Sequence, residues 1–207
     1  MRNVLIFIAE LIIFWFVVRT TKYFFTMDNQ IARYLWYSYY IPMLFIPVAV
    51  LQAAFFLGKS EEYRLPKWLK GVYIPTAVLV LLVLSNDLHQ FVFSFPVGSA
   101  WSDSHSTYGW GYYVVLVWEV VCALTAFALM IYKCRHSQKK KYLPLLGIGA
   151  AVLYSVLFIS GVAWVQEIGG DITAVLCLFF VGILESCVRC GLIQTNTGYD
   201  QLFEFCT

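Results

Sequence analysis

The sequence has few charged residues: Asp, Glu, Lys and Arg make up only 13% of its 207 residues, whereas 61% are apolar. A typical soluble domain has about 25% charged residues, so this chain lacks the polar surface that such a domain needs. The 14 basic and 12 acidic residues leave a net charge of +2, which does not indicate nucleic acid as a partner. The composition excludes an ordinary soluble protein and favours one that lies in the lipid bilayer.

Common catalytic and cofactor motifs are also missing. The chain contains no G-x-S-x-G, no H-E-x-x-H, no P-loop and no dinucleotide-binding fingerprint. Its three histidines, His89, His105 and His136, are predicted in a helix end, an outer loop and an inner loop, so they cannot meet at one metal ion. We therefore expect no enzymatic activity and no cofactor in this chain.

None of the six cysteines lies in a predicted outer connection, so no extracellular disulfide framework is expected. Cys187 and Cys190 form a C-x-x-C pair, and together with Cys134 and His136 they supply the ligand types of a Cys₃His zinc site. A helical C-x-x-C without a second close pair is more typical of packing. We therefore predict no metal site here.

Six apolar runs are each long enough to cross a hydrocarbon core of about 30 Å as a helix. They predict an all-α, polytopic transmembrane bundle over residues 1–194, followed by a short cytoplasmic tail over residues 195–207. The predicted spans are residues 4–25, 35–57, 71–94, 110–132, 142–164 and 171–193.

Lysine and arginine residues cluster in alternate connections between these spans. The second connection has four and the fourth has five, whereas the third and fifth have none. Because short cytoplasmic loops retain basic residues, both termini are predicted to be cytoplasmic. Arg19, Lys22 and Arg33 depart from this rule, since they lie on the predicted outer side.

Polar residues in the outer half of the bundle are candidates for a ligand-binding site, because a polar side chain at this depth usually faces a partner or a wet cavity. Asn86, His89 and Gln90 are expected to share one helix face. An alternative is a set of interhelical hydrogen bonds, with an Arg19–Asp87 ion pair, that only holds the bundle together. The candidate ligand-binding residues are Arg19, Lys22, Asn86, Asp87, His89, Gln90, Trp101, Tyr112, Glu119 and Asp171.

Two further ionisable features lie deeper in the predicted membrane. Glu119 is expected near the midplane, where it could relay protons, contact a ligand or form a hydrogen bond between helices. Glu185 and Arg189 are four residues apart near the inner end of the last span, which predicts an ion pair that anchors this helix. Because the last helix leads towards the cytoplasm, this pair is also a candidate for signal relay.

Several separated motifs, in this order, resemble the N-terminal seven-transmembrane sensor region of bacterial histidine kinases. They lie at residues 14–23, 33–42, 86–93, 108–113 and 185–199. The resemblance implies a sensory membrane module whose last helix leads into a cytoplasmic output domain, commonly a kinase. On this interpretation the six spans correspond to helices two to seven of the family, and the first helix and the kinase domain have no counterpart in this sequence.

We therefore predict the sensory input module of a two-component receptor in the bacterial inner membrane. It would bind an unknown small ligand, or respond to the state of the bilayer, and relay this to a cytoplasmic histidine kinase or other output domain in cis or in trans. The resemblance also implies a possible homodimer.

Two other functions stay open. A small transporter or transporter subunit could use Asp87, His89 and Glu119 as a proton or substrate path, although the chain shows no internal repeat of the kind that transporters have. A purely structural membrane scaffold would tolerate apolar substitutions across residues 86–90.

Overall fold

The computed structural model describes residues 2–24, 29–57, 63–95, 107–135, 142–159, 162–165 and 172–189. These residues are mostly helical, and the exception is one short β-hairpin. In chain order the elements are α1 (Arg2–Phe24), α2 (Asn29–Ser38), α3 (Tyr40–Phe56), α4 (Lys67–Gly71), α5 (Tyr73–Leu84), α6 (Asn86–His89), β1 (Phe93–Ser94), β2 (Thr107–Tyr108), α7 (Trp110–Arg135), α8 (Tyr142–Ile159) and α9 (Ile172–Arg189).

Four helical stretches within the described residues are long and apolar enough to cross a membrane: Arg2–Lys22, Gln30–Phe56, Lys67–Leu84 and Trp110–Lys133. They overlap the first four predicted spans. The fifth and sixth predicted spans correspond to α8 and α9, which have 18 residues each. Six spans therefore stay a prediction, and the proposed tail over residues 195–207 lies outside the described residues.

The chain divides into two compact units. Unit 1 contains Met1–Phe55 and Arg64–Ala126, and unit 2 contains Phe56–Tyr63 and Phe127–Thr207. In unit 1, α1 packs on α2, and α2 packs on α5. In unit 2, α8 packs on α9.

The third predicted span ends earlier than expected, so the prediction of a helix through residue 94 is wrong. The helix breaks at Ser85, resumes over Asn86–His89, and stops because Gln90 adopts the left-handed conformation with φ 50° and ψ 33°. The chain then turns back, and Phe93 and Ser94 pair in antiparallel register with Tyr108 and Thr107. We call the part of unit 1 that contains α6, β1, β2 and the start of α7 the hairpin end.

Two glycines let the hairpin lie directly against the start of α7. The Gly109 N–H donates to the Val92 carbonyl oxygen over 2.9 Å, and the Gly111 N–H donates to the Phe91 carbonyl oxygen over 3.0 Å. A Cβ atom at Gly109 would overlap the Phe91 carbonyl oxygen. Only a residue without a side chain permits this approach.

Aromatic side chains surround Phe93 at the hairpin end. The Phe93 ring is fully buried, and its centroid lies 4.4 Å from that of Trp36, 5.5 Å from that of Tyr40 and 5.9 Å from that of Tyr112. Rings at these distances contribute more than their buried area alone. The buried core of this region consists of Tyr37, Tyr40, Leu44, Val80, Val83, Val92, Phe93 and Val115.

Within unit 2, α8 and α9 lie in close contact. A Cβ atom at Gly147 of α8 would lie 2.9 Å from the Ile183 side chain of α9. The rings of Tyr154 and Phe179 have their centroids 5.9 Å apart. Small residues at such a crossing bring the helix backbones together, as in many membrane helix pairs.

Candidate functional site

Asn86 lies at the centre of the polar groups at the hairpin end. Its side chain is fully buried, and its amide nitrogen donates to the Tyr37 hydroxyl over 3.1 Å and to the Phe93 carbonyl oxygen over 2.8 Å. Its amide oxygen accepts the backbone N–H groups of Val92 and Phe93, each over 3.0 Å. Both donors and both acceptor positions of the amide are therefore used within the protein.

An ion pair continues this network. The Tyr37 hydroxyl donates to Asp87 Oδ1 over 2.8 Å, and the Arg33 guanidinium lies 2.8 Å from Asp87 Oδ2. The two charged side chains are 25% and 22% exposed, so the pair is mostly buried. We call the five residues Arg33, Tyr37, Asn86, Asp87 and His89 the polar cluster.

Arg33 has two aromatic neighbours and one unused donor. Its guanidinium carbon lies 5.9 Å from the centroids of both the Tyr34 and the Phe95 rings, which are cation–π distances. Its Nε atom is buried and has no hydrogen-bond partner among the described residues. Arg33 was not among the candidate residues predicted from the sequence, although it is one of the three basic residues on the predicted outer side.

Asp87 thus forms its ion pair with Arg33. The alternative in which the polar residues only hold the bundle together had predicted a pair with Arg19 instead. Arg33 and Asp87 are 54 positions apart, and no helical spacing relates them. Lys22, in the last turn of α1, has its ammonium 5.7 Å from the Tyr39 ring centroid. A pairing between distant segments depends on how α2 packs against α5, which sequence spacing alone does not reveal.

His89 contacts backbone groups on both sides of its position in the chain. Its Nε2 atom lies 3.1 Å from the Leu82 carbonyl oxygen and 3.2 Å from the Ser85 hydroxyl, and its Nδ1 atom lies 3.0 Å from the Phe91 nitrogen.

Gln90 does not share the Asn86 face, contrary to the predicted i, i+4 relation, because its left-handed backbone ends the helix. The Ser94 hydroxyl donates to Gln90 Oε1 over 3.5 Å.

The remaining candidate residues lie in different environments. Tyr112 stacks on Tyr108 with centroids 4.2 Å apart and belongs to the aromatic packing around Phe93. Trp101 and Asp171 lie outside the described residues, and nothing here tests their role.

Glu119 lies on α7 between the buried residues Val115 and Cys122. Within the described residues its carboxyl group forms no hydrogen bond and no ion pair. The interhelical hydrogen bond expected for it is therefore absent from the part of the chain that the structure describes.

A second buried amide was missed in the sequence. Gln52 on α3 is 3% exposed, donates to the Leu69 carbonyl oxygen over 3.2 Å, and accepts the Tyr73 hydroxyl over 3.2 Å. A single glutamine in the apolar helix Tyr40–Phe56 was the available signal. Gln52 joins α3 to α4 and α5.

The predicted pair on the last helix is confirmed. Arg189 Nε donates to Glu185 Oε1 over 2.8 Å, and both side chains are largely exposed, at 73% and 56%. Of the possible zinc ligands, only the Cys187 side chain is described, and it is buried. No group of three or more His, Cys, Asp or Glu residues in the described ranges could hold a metal ion.

Two apolar grooves occur in unit 1, and neither includes a residue of the polar cluster. The larger, of about 380 Å³, lies along α5 and α7 and is lined by Leu79, Tyr113, Val114, Val117, Trp118 and Val121. The Trp118 indole N–H donates to the Thr76 hydroxyl over 3.1 Å, so its polar atom is already partnered. Both helices are candidate spans, so the bilayer is the expected surrounding of this groove.

These features define a polytopic helical membrane protein with a polar cluster at one end of its first unit. The family described as the N-terminal 7TM region of histidine kinase matches residues 2–188, and the chain belongs to this family. The resemblance seen in the motifs is thereby confirmed, and the match describes a sensor region rather than a kinase domain. No curated protein and no solved structure matches the chain.

Proposed function

We propose that this chain is the sensory input module of a bacterial two-component receptor, and that the polar cluster receives the stimulus. The family supports a role in signal transduction. The observation that carries the location is the mostly buried Arg33–Asp87 ion pair, which connects α2 to α6. Charged groups at membrane depth are uncommon and usually functional.

The stimulus would act on this ion pair. A ligand, or a change in the bilayer, that binds Arg33 or Asp87 better in one helix arrangement than in another shifts the population towards that arrangement. The unused Nε donor of Arg33 favours a ligand with an acceptor oxygen. Breaking the pair loosens α2 from α6, which then stay joined by the Tyr37 hydrogen bonds to Asn86 and Asp87, while α2 still packs on α1 and α5.

The orientation is part of the proposal. The hairpin end would face the outside of the inner membrane, and both termini would face the cytoplasm. Lys67 and Lys70 support this orientation, since they lie in α4, at the start of the helical stretch Lys67–Leu84 that leads to the hairpin. Basic residues are enriched in cytoplasmic connections.

The output would leave through α9, where Glu185 and Arg189 form an exposed ion pair. The proposed partner is a cytoplasmic histidine kinase or other output domain, in cis or in trans, and the receptor would act as a homodimer. Small shifts or rotations of a helix are a common way to transmit such a change.

The experiment breaks the ion pair and observes the output helix. We would measure hydrogen exchange of residues 172–189 in the full chain, in lipid nanodiscs, for Asp87→Asn, Arg33→Gln and the charge swap Arg33→Asp with Asp87→Arg. Leu88→Ala is the control, since Leu88 is adjacent and 89% exposed. We expect altered exchange in α9 for both single variants, a return towards the native pattern in the swap, and no change in the control.

Unchanged exchange in α9, with weaker folding of unit 1 alone, would contradict the sensor proposal. It would instead favour the structural role, which the saturated hydrogen bonding of Asn86 supports.

One observation supports transport as a second candidate function. Glu119 is partly buried on α7, inside the candidate span Trp110–Lys133, as expected of a group that binds and releases protons in a membrane. Proton flux into lipid vesicles that contain the protein, abolished by Glu119→Gln, would establish this function. Equal flux for the native protein and the variant would exclude a path through Glu119.

A further inference from the structure

The His89 ring holds together two parts of the backbone at the hairpin end. On one side Nε2 lies 3.1 Å from the Leu82 carbonyl oxygen, where the helix breaks between α5 and α6. On the other side Nδ1 lies 3.0 Å from the Phe91 nitrogen, at the start of the return towards β1. The ring thus joins the end of the helix to the first residues of the hairpin.

The partners of the ring determine which nitrogen carries the proton. A backbone N–H can only donate, so Nδ1 must accept the Phe91 N–H and must itself be unprotonated. Nε2 then carries the hydrogen and donates to the Leu82 carbonyl oxygen. The geometry therefore requires the neutral ring, because a protonated imidazolium has an N–H at both nitrogens and accepts no hydrogen bond.

The segment that His89 holds is tied to its surroundings at every residue. The Phe91 and Val92 carbonyl oxygens accept the N–H groups of Gly111 and Gly109, and Asn86 accepts the N–H groups of Val92 and Phe93. The remaining group of this segment is the Phe91 N–H, and its acceptor is His89 Nδ1. A change at His89 acts directly on the backbone that links α6 to α7.

The groups around the ring bring no charge that would favour the imidazolium. Leu82, Ser85 and Phe91 are neutral, and the Phe91 ring stacks on His89 with centroids 4.7 Å apart. On the far side Trp110 packs on Phe91 at 5.4 Å.

Asp87, the charged group closest to His89 in the chain, is already paired. The Asp87 carboxylate of α6 is bound by Arg33 of α2 and by the Tyr37 hydroxyl. No carboxylate is thus among the described partners of the His89 ring.

We propose that His89 is a pH-operated latch. In its neutral form the ring ties the Phe91 backbone to the helix. In its protonated form Nδ1–H faces the Phe91 N–H, so this contact is lost and residues 91–93 loosen, held then by Asn86, Gly109 and Gly111. Histidine is the side chain that ordinarily changes its charge between about pH 5 and 8. The latch does not depend on the sensor proposal, since it follows from the hydrogen bonds alone.

The first test identifies the tautomer. We would record ¹⁵N spectra of histidine-labelled protein in nanodiscs of neutral phosphatidylcholine, using His105→Asn with His136→Asn so that His89 gives the only signal. We expect the neutral Nε2–H form near pH 8 and the doubly protonated ring at the acid end. The Nδ1–H tautomer near pH 8, or a ring protonated throughout, would overturn the proposal.

The second test observes the backbone. Hydrogen exchange of residues 91–93, corrected for the intrinsic effect of pH, should rise at least about tenfold as His89 is protonated, because a hydrogen bond is replaced by two facing donors. His89→Asn offers an acceptor near the Nδ1 position without titrating, so it should stay protected at both pH values. His89→Leu should be released at both.

The α7 amides of residues 115–130 serve as the reference within the same molecule. Equal acid-induced exchange in the native protein and in His89→Asn would overturn the proposal, because the change would then not come from His89. No change in the native protein across the titration would overturn it as well.

Discussion

The two buried amides of unit 1, Asn86 and Gln52, differ in what they hold together. Asn86 makes four hydrogen bonds, three of them to the backbone of Val92 and Phe93. Gln52 makes two, one to the Leu69 carbonyl oxygen and one to the Tyr73 hydroxyl. Asn86 therefore supplies partners to a chain that has left its helix, whereas Gln52 links helices.

This difference shows when a buried polar group is indispensable. Without Asn86, two buried backbone N–H groups lose their acceptor, and buried N–H groups without a hydrogen-bond partner are rare in proteins. Without Gln52, one carbonyl oxygen loses a donor, which proteins tolerate more readily. A buried amide in a membrane helix is thus more critical where it replaces secondary structure than where it bridges helices.

The largest expected effect is that of Asn86→Leu. The substitution keeps the branched arrangement of the side-chain heavy atoms, with a larger volume, and removes four hydrogen bonds, so we expect a loss of about 3–5 kcal/mol in the free energy of unfolding. The measurement is reversible unfolding in mixed detergent, with Leu88→Ala as the control. A loss below about 1 kcal/mol would mean that water satisfies the hairpin backbone instead.

Gln52→Leu should have a smaller effect, which sharpens the comparison. Interhelical hydrogen bonds in membrane proteins contribute about 0.6 kcal/mol on average, and Gln52 makes two bonds of 3.2 Å. We expect a loss of about 1 kcal/mol in the same unfolding assay. Equal losses in the free energy of unfolding for Gln52→Leu and Asn86→Leu would contradict this difference between the two amides.

The tyrosines that accompany the two amides should show the same order, each with a smaller effect than its own amide. The Tyr37 hydroxyl has two side-chain partners, Asn86 and Asp87, whereas among the described residues that of Tyr73 has one, Gln52. We expect Tyr37→Phe to cost about 1–2 kcal/mol and Tyr73→Phe about 0.5 kcal/mol. Double-mutant cycles with Asn86→Leu and Gln52→Leu measure each coupling, and a larger coupling at Tyr73 would reverse the order.

Apolar run length and helical spacing could be predicted from the sequence. The first four spans coincide with helices of sufficient length and hydropathy, because hydrocarbon thickness fixes the run that is needed. The Glu185–Arg189 pair follows from i, i+4 spacing on one helix and is present at 2.8 Å.

The end of the third span could not be predicted, because it depends on a single left-handed residue and on side-chain bonds to the backbone. Residues 91–95 are as apolar as the helix before them, so hydropathy continues through the turn at Gln90. The partner of Asp87 was missed for a similar reason: Arg33 lies on a different helix, and only tertiary packing brings the two together. Gln52, by contrast, was visible as the one amide in an apolar helix.

Two buried cysteines, Cys122 on α7 and Cys187 on α9, provide a native means of following each unit separately. Cys122 belongs to unit 1 and Cys187 to unit 2, and the two side chains are 4% and 0% exposed. A maleimide or iodoacetamide reagent modifies a thiol only when that thiol becomes accessible. The alkylation rates of these two cysteines therefore report the opening of each unit in the intact chain, with no foreign probe in either core.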